Sequence, residues 1–167
     1  MSDLPTYELE RTFAAPQETV WRVWTDPDLL HRWYGPGVET TIHRFDLRPG
    51  GEWLNEMKWG ENSNYSRMVF QEIDAPSKLV WNHHSCTDAE WRDMQNPMMA
   101  DWPRVLHTIV TFEARGEQTF VTLTQEPLEA SDAEIACFRD AMANMDKGWG
   151  SGYALIDEML AELAGEA

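Results

Sequence analysis

The C-terminal stretch from Ser131 to Leu163 constrains this chain more than any other part of it. Phe138, Met142, Met145, Trp149, Tyr153, Ile156, Leu160 and Leu163 recur at alternating steps of four and three. That spacing lines them along one face of an α-helix. Glu134, Asp140, Asp157, Glu158 and Glu162 fall on the other side, so one face is wet and the other needs a partner. Ser131 and Glu134 have the Ser-x-x-Glu spacing of a capping box, which marks the helix start. A helix over this whole stretch runs to about 50 Å at 1.5 Å per residue, long for a domain of this size. Gly148, Gly150 and Gly152 each cost it roughly 1 kcal/mol relative to alanine. The spacing therefore predicts a break or kink between Asn144 and Gly150, with the rest held by apolar side chains worth about 1.5–3 kcal/mol each on burial. Glycine beside Trp149 also lets a backbone or a ligand come close.

The remaining chain supplies what such a helix packs against. Tyr7 to Phe13 alternates as a first strand. Pro16 then opens a short helix carrying Val20, Trp21, Val23 and Trp24, and Asp26-Pro27 opens a second with Leu29, Leu30, Trp33 and Tyr34, ended by Gly35-Pro36-Gly37. Six strands follow: 38–47 and 52–59 around Arg48-Pro49-Gly50-Gly51, then 65–73, 78–85, 104–114 and 118–125. Sequential hairpins imply an antiparallel sheet with one face covered, and the C-terminal helix is the element available to cover it. The segment from Cys86 to Pro103 is longer than most connections and carries Trp91, Met94, Met98, Met99 and Trp102, which points to a lid or a subunit contact.

Composition narrows the classes of partner. With 167 residues the chain reads as one domain, 1–167, large enough for a real core. A net charge of −16 repels phosphates, so nucleic acid is not expected as a partner. No apolar run approaches the ~20 residues that span a bilayer, and no leader-like N-terminus precedes the first strand. The two cysteines, Cys86 and Cys137, lack metal-type spacing and read as free thiols, so a cytoplasmic protein is expected. Nine tryptophans and nine methionines suit the wall of a pocket as well as a core.

Chemistry-bearing residues are few. His83-His84-x-Cys86 does not form a metal site, because adjacent strand residues point to opposite faces. Alternation puts Trp81 with His83 on one face, and Trp53, Asn55, Met57 and Trp59 on another shared face, where the Asn55 amide reads as a polar point inside a pocket. His107 is a second candidate histidine, and Tyr65, Arg67, Asp101 and Glu56 are candidates to orient a polar group. Gly148-x-Gly150-x-Gly152 follows no strand and is no dinucleotide fingerprint. No nucleophile motif, phosphate loop or cofactor signature appears.

Several runs together resemble a known family: Trp33-Tyr34-Gly35-Pro36, then Phe45-Asp46-Leu47-Arg48-Pro49-Gly50-Gly51 with Trp53. They continue as Phe70-x-Glu72-Ile73 with Pro76 and Leu79-Val80, and end at Gly148-Trp149. The chain resembles, over essentially its whole length, the homologues of the C-terminal domain of the heat-shock protein 90 ATPase activator. That family lies within the START-like and Bet v 1-like superfamily. The resemblance implies an α+β helix-grip fold: a curved antiparallel sheet wrapped around a long C-terminal helix, with a cavity where many superfamily members bind hydrophobic ligands. The long 86–103 loop and tyrosine at 153 depart from the usual pattern. The expected function is binding of a hydrophobic or aromatic small molecule, without a cofactor or metal, by Trp33, Trp53, Asn55, Met57, Tyr65, Trp81, His83, His107, Trp149 and Tyr153. One alternative is an interaction module, co-chaperone-like or a homodimer through the 86–103 loop. The other is a cyclase- or hydrolase-like enzyme with His83 or His107 as base and Tyr65 or Asn55 holding an oxygen.

Overall fold

Turn residues and two-residue alternation divide the chain into ten elements in a computed structural model that describes residues 4–35 and 37–165. In order they are β1 (Tyr7–Phe13), α1 (Gln17–Thr25), α2 (Pro27–Trp33), β2 (Glu39–Phe45) and β3 (Glu52–Trp59). Then come β4 (Asn62–Asp74), β5 (Lys78–Thr87), β6 (Val105–Arg115), β7 (Gln118–Pro127) and α3 (Asp132–Gly165). The strands form one curved antiparallel sheet in the order β1-β7-β6-β5-β4-β3-β2. Every neighbouring pair except β1 and β7 is consecutive in sequence, so the sheet follows from its hairpins. The N-terminal strand closes it by pairing Tyr7 with Gln125 and Phe13 with Thr119. This is the helix-grip arrangement.

Strand alternation sorts the two faces. Trp53, Met68, Phe70, Leu79, Trp81, Leu106, Val110, Phe112, Val121 and Leu123 turn inward to the buried core. The intervening Glu52, Glu56, Arg67, His84 and His107 face outward. Trp59, in phase with Trp53, is nevertheless 42% exposed, because it sits at the hairpin tip beyond the helices. The hairpin at Gly60-Glu61 is tighter than the five-residue turn read from the sequence, with Trp59 opposite Asn62, and it turns on a positive φ at Gly60.

The helices are capped as their sequences dictate. The Asp26 side chain accepts from the Asp28 N–H at 3.0 Å, and Pro27 occupies the first turn of α2. At α3 the box is reciprocal: Glu134 N–H donates to Ser131 Oγ at 3.1 Å and Ser131 N–H to Glu134 Oε1 at 2.9 Å. Contrary to the sequence expectation, α3 is a single 34-residue helix through Asn144 to Gly150. Its first half is held beyond the sheet by Trp102, whose ring lies 5.7 Å from Phe138, and by Tyr7 Oη donating to Asp146 Oδ1 at 2.6 Å. Lateral contacts thus replace the break. Gly148 and Gly150 face open space, while a Cβ on Gly152 would meet the Trp33 carbonyl oxygen at 3.2 Å and its ring at 3.3 Å.

Those surroundings separate the three glycines experimentally. Gly148→Ala and Gly150→Ala are expected to raise unfolding free energy by about 0.5–1 kcal/mol each. Gly152→Leu is expected to lower it by about 1–3 kcal/mol through overpacking against Trp33. Urea denaturation of the three variants checks this, and a tolerated Gly152→Leu would contradict the close seam.

Candidate functional site

Helix α3 comes closest to α1, α2, β1 and β7, leaving a space over the middle strands. At one end that space is filled by rings. Trp24 meets Trp33 at 4.6 Å, Tyr34 meets Trp53 at 4.8 Å, and Trp53 meets Trp81 at 5.9 Å, all edge to face. At the other end the filling stops and a cleft of about 390 Å³ remains. Trp33, Tyr34 and Gly35 form the wall where α2 ends, and Met145, Gly148, Trp149 and Gly152 form the α3 side. The sheet contributes Met57, Asn64, His83, Ser85, Leu106 and Gln125, and Trp102 and Asn144 flank the mouth. The size falls within the range of small-molecule sites, about 300–1,000 Å³.

Gly35 has a structural reason to be glycine. Its φ is +82°, and a Cβ there would lie 2.7 Å from Thr40 Oγ1 and 2.9 Å from Met57 Cε. Thr40 Oγ1 already donates to the Tyr34 carbonyl at 2.6 Å. The turn after α2 is thereby held against β2 and β3, which sets the width of the cleft at that wall.

Polar groups inside are neutral and several lack partners. Among the described residues neither ring nitrogen of His83 has a hydrogen-bond partner, and its Nδ1 is fully buried. Its ring borders the cleft, and burial lowers its pKa to about 4, with a smaller push from His84. His83 is therefore an uncharged imidazole at neutral pH. Asn55 is fully buried; its Oδ1 accepts from Trp53 Nε1 at 3.3 Å, while its Nδ2 has no partner. Trp81 Nε1 and the Tyr153 hydroxyl are likewise buried and unpaired, each at a cost of about 1–3 kcal/mol. Burial pushes the Tyr34 and Tyr153 phenols upward, so both stay protonated.

The arrangement suits binding better than nucleophilic chemistry. Ser85 shares the inner face with His83, but its hydroxyl donates to the Pro103 carbonyl at 2.8 Å instead of to an imidazole. Gln125 Nε2 donates to Thr108 Oγ1 at 3.1 Å. Among the described residues no group of three His, Cys, Asp or Glu side chains is placed to hold a metal ion.

The ten residues expected from the sequence fall into three places. Trp33, Met57, His83 and Trp149 line the cleft. Trp53, Asn55, Trp81 and Tyr153 are buried one layer behind the lining. Tyr65 and His107 lie on the outer face, away from the cleft. Alternation decides this, since Leu106 and Thr108 point inward and His107 points out, its Nδ1 2.8 Å from Asn82 Oδ1. Tyr65 stands edge-on to Trp91 at 5.4 Å. Glu56 and Arg67 share that outer face. Lining residues not singled out from the sequence include Ser85, which is in phase with His83, and Met145, one helical turn before Trp149. Gln125, in phase with Val121 and Leu123, carried the same signal. Asn64 was hidden because it fell in a stretch read as a turn.

The connection between β5 and β6 is anchored on both faces. Asp93 pairs with His84 Nδ1 at 3.0 Å and with Arg67 Nη2 at 3.6 Å on the outside. Trp91, at a φ of +67°, sits between His43 and Tyr65, 5.4 Å from each ring. Further along, Trp102 reaches the cleft mouth. Between these anchors Met94 and Met99 are exposed, and Met98 is 83% exposed.

The family model for Activator of Hsp90 ATPase homolog 1-like protein matches residues 14–161. Among solved structures, a protein from Arthrobacter aurescens is similar at 23% identity, with 94% of this chain and 86% of that one covered and a TM-score of 0.77. A protein from Mycobacterium smegmatis is similar at 23% identity, covering 95% and 96%, with a TM-score of 0.75. The AHSA1-like protein from Aeromonas hydrophila is similar at 20% identity, covering 96% and 94%, with a TM-score of 0.66. At these identities the likeness is one of fold. Curated proteins gave no match.

Burial of His83 carries a pH signature. A histidine with an ordinary value of 6.5 and a folded value of about 4 binds its proton more readily in the unfolded chain. Stability is therefore lost as pH falls from 6.5 towards 4, by about 1–3 kcal/mol in total, and this contribution is flat above that window. Urea denaturation of wild type and His83→Gln at pH 7, 5.5 and 4.5 is expected to show a smaller acid loss in the variant. Equal losses would mean that the ring is solvated.

Proposed function

The chain belongs to the Activator of Hsp90 ATPase homolog 1-like family, and from that premise we propose that it is a binding protein for a hydrophobic or aromatic small molecule. The observation that carries this reading is the cleft of about 390 Å³ beside Trp149, in a core that is elsewhere filled with rings. Trp33, Tyr34, Met57, Leu106, Met145 and Trp149 offer flat and flexible apolar walls, and no carboxylate among the lining residues is placed to work with His83. A weakly basic, unpaired imidazole supports holding a ligand more than abstracting a proton from it. No helix of the described residues is long and apolar enough to cross a membrane. Free Cys86 and Cys137 and the charge of −16 accord with a cytoplasmic protein that does not bind nucleic acid.

A second reading rests on the exposed methionines between Trp91 and Trp102. Met94, Met98 and Met99 present apolar surface of the adaptable kind used at protein contacts. A homodimer through this loop leaves the cleft in place, so the two readings are compatible.

Titration with the uncharged dye Nile red, followed by its emission, tests the first reading. Wild type is expected to bind one equivalent, and Met145→Trp, which fills the cleft from a half-exposed helix position, to weaken binding at least about tenfold with little change in Tm. Absence of binding to wild type, or equal binding to the variant, would count against the cleft. Sedimentation of wild type and Met98→Lys tests the second: a dimer that the substitution dissociates is expected, and a monomer in both would end it.

A further inference from the structure

Across the inner face of the sheet, just where the aromatic filling ends, polar side chains follow one another from strand to strand. Asn55 on β3 is paired in register with Ser66 on β4, His83 on β5 lies opposite Met68 and Leu106, and Thr108 on β6 is opposite Gln125 on β7. Asn64 and Ser85 continue the belt towards the mouth. Every member is uncharged, His83 included. Among the described residues no Lys, Arg, Asp or Glu lines the cleft. Arg11, in phase with Tyr7 and Phe13 on β1, is tied to Asp157 in an ion pair.

A wall of this kind discriminates by charge. A carboxylate entering it surrenders its water and meets no counter-ion, inside a molecule whose net charge is −16. A neutral amide, hydroxyl or ester loses far less on entry. It also finds a partner, because the His83 ring borders the cleft and makes no hydrogen bond among the described residues, and a neutral imidazole offers one donor and one acceptor. A plain hydrocarbon fits the ring-lined walls but leaves the imidazole unpaired. We propose that the cleft selects an uncharged, ring-bearing ligand whose oxygen- or amide-bearing end sits at His83, and that it rejects carboxylates of the same shape. The proposal rests on the binding reading above and adds the chemical class of the ligand and a residue that sets specificity.

Three probes of nearly one shape separate the terms: 2-naphthamide, 2-naphthoate and 2-methylnaphthalene, titrated at pH 7.5 against the quenching of tryptophan emission. The amide is expected to bind at least about tenfold more tightly than the carboxylate. His83→Leu is expected to weaken the amide roughly three- to tenfold, the worth of one hydrogen bond, and to leave the hydrocarbon unchanged or tighter. His83→Gln, which keeps a donor and an acceptor, is expected to retain the amide. Retained hydrocarbon binding shows that each variant is folded. If 2-naphthoate binds as tightly as the amide, or if His83→Leu weakens amide and hydrocarbon alike, the selectivity is overturned while the cleft stands. If Nile red binds and none of the three probes does, the assigned ligand class is overturned alone. If neither the dye nor any probe binds, the binding reading falls and takes this one with it.

Discussion

The approach of α3 to the Trp33 ring at Gly152 is the contact on which the inner half of the molecule depends. Trp33 also donates its indole N–H to the Val23 carbonyl at 3.0 Å and packs edge-on to Trp24, so α1, α2 and α3 meet at a single ring. A side chain at 152 would push the long helix away from that joint, and about 25 cal/mol per Å² of apolar burial would be lost along its length. Further ties fix the helix direction: Tyr7 to Asp146, Arg11 to Asp157, and Arg32 to Glu162 at 2.7 Å. The ion pairs are partly exposed and contribute little energy each. They matter for orientation more than for stability.

Once α3 is held at that joint and along β1 and β7, it cannot also follow the middle strands of a curved sheet. Large rings fill the wedge-shaped space near the joint and run out before the open end. The cleft is thus a geometric remainder of helix placement. Charge is excluded from it by the same alternation that builds the sheet, since Glu52, Glu56, Arg67 and His84 all sit on the outer face. There they pair with one another: Glu52 with Arg44 and Arg67, and Glu56 with His43. The hydroxyl of Ser63, then His43, hold the Glu56 carboxyl below its usual range. Inside, polarity is carried by amides, hydroxyls and one neutral imidazole.

Much of this was legible in the residues. Strand order followed from turns at Arg48-Pro49-Gly50-Gly51 and Arg115-Gly116-Glu117, and the helical face from Phe138 to Leu163 held throughout. The expected break at Asn144 to Gly150 does not occur, because lateral contacts from Trp102 and Tyr7 hold the first half of α3 against the intrinsic cost of its glycines. Within the site, Trp149 could be placed by its helical phase. His83, Tyr65 and His107 could not be placed by phase alone, since period-two alternation says which residues share a face and leaves open which face is inner. The bulges between Tyr65 and Arg67 and between Phe70 and Glu72 shift that phase within β4, and no local residue pattern announces them. The depth of the cleft was illegible for another reason: it depends on where ring volume runs out across elements far apart in sequence.

The separation of a ring-filled end from an open end has a consequence for how such a chain can change over generations. Substitutions at the filled end disturb Trp24, Trp33, Trp53 or Tyr153, where lost volume costs several kcal/mol in a fold whose whole margin is of the order of 5–15 kcal/mol. At the open end Met57, Asn64, Asn144 and Met145 are half-exposed or exposed, and exchanging them costs little stability. Drift at the rim can therefore remodel what the cleft admits while the joint at Trp33 stays untouched. A lineage built on this plan is free to diversify in chemistry far faster than in shape.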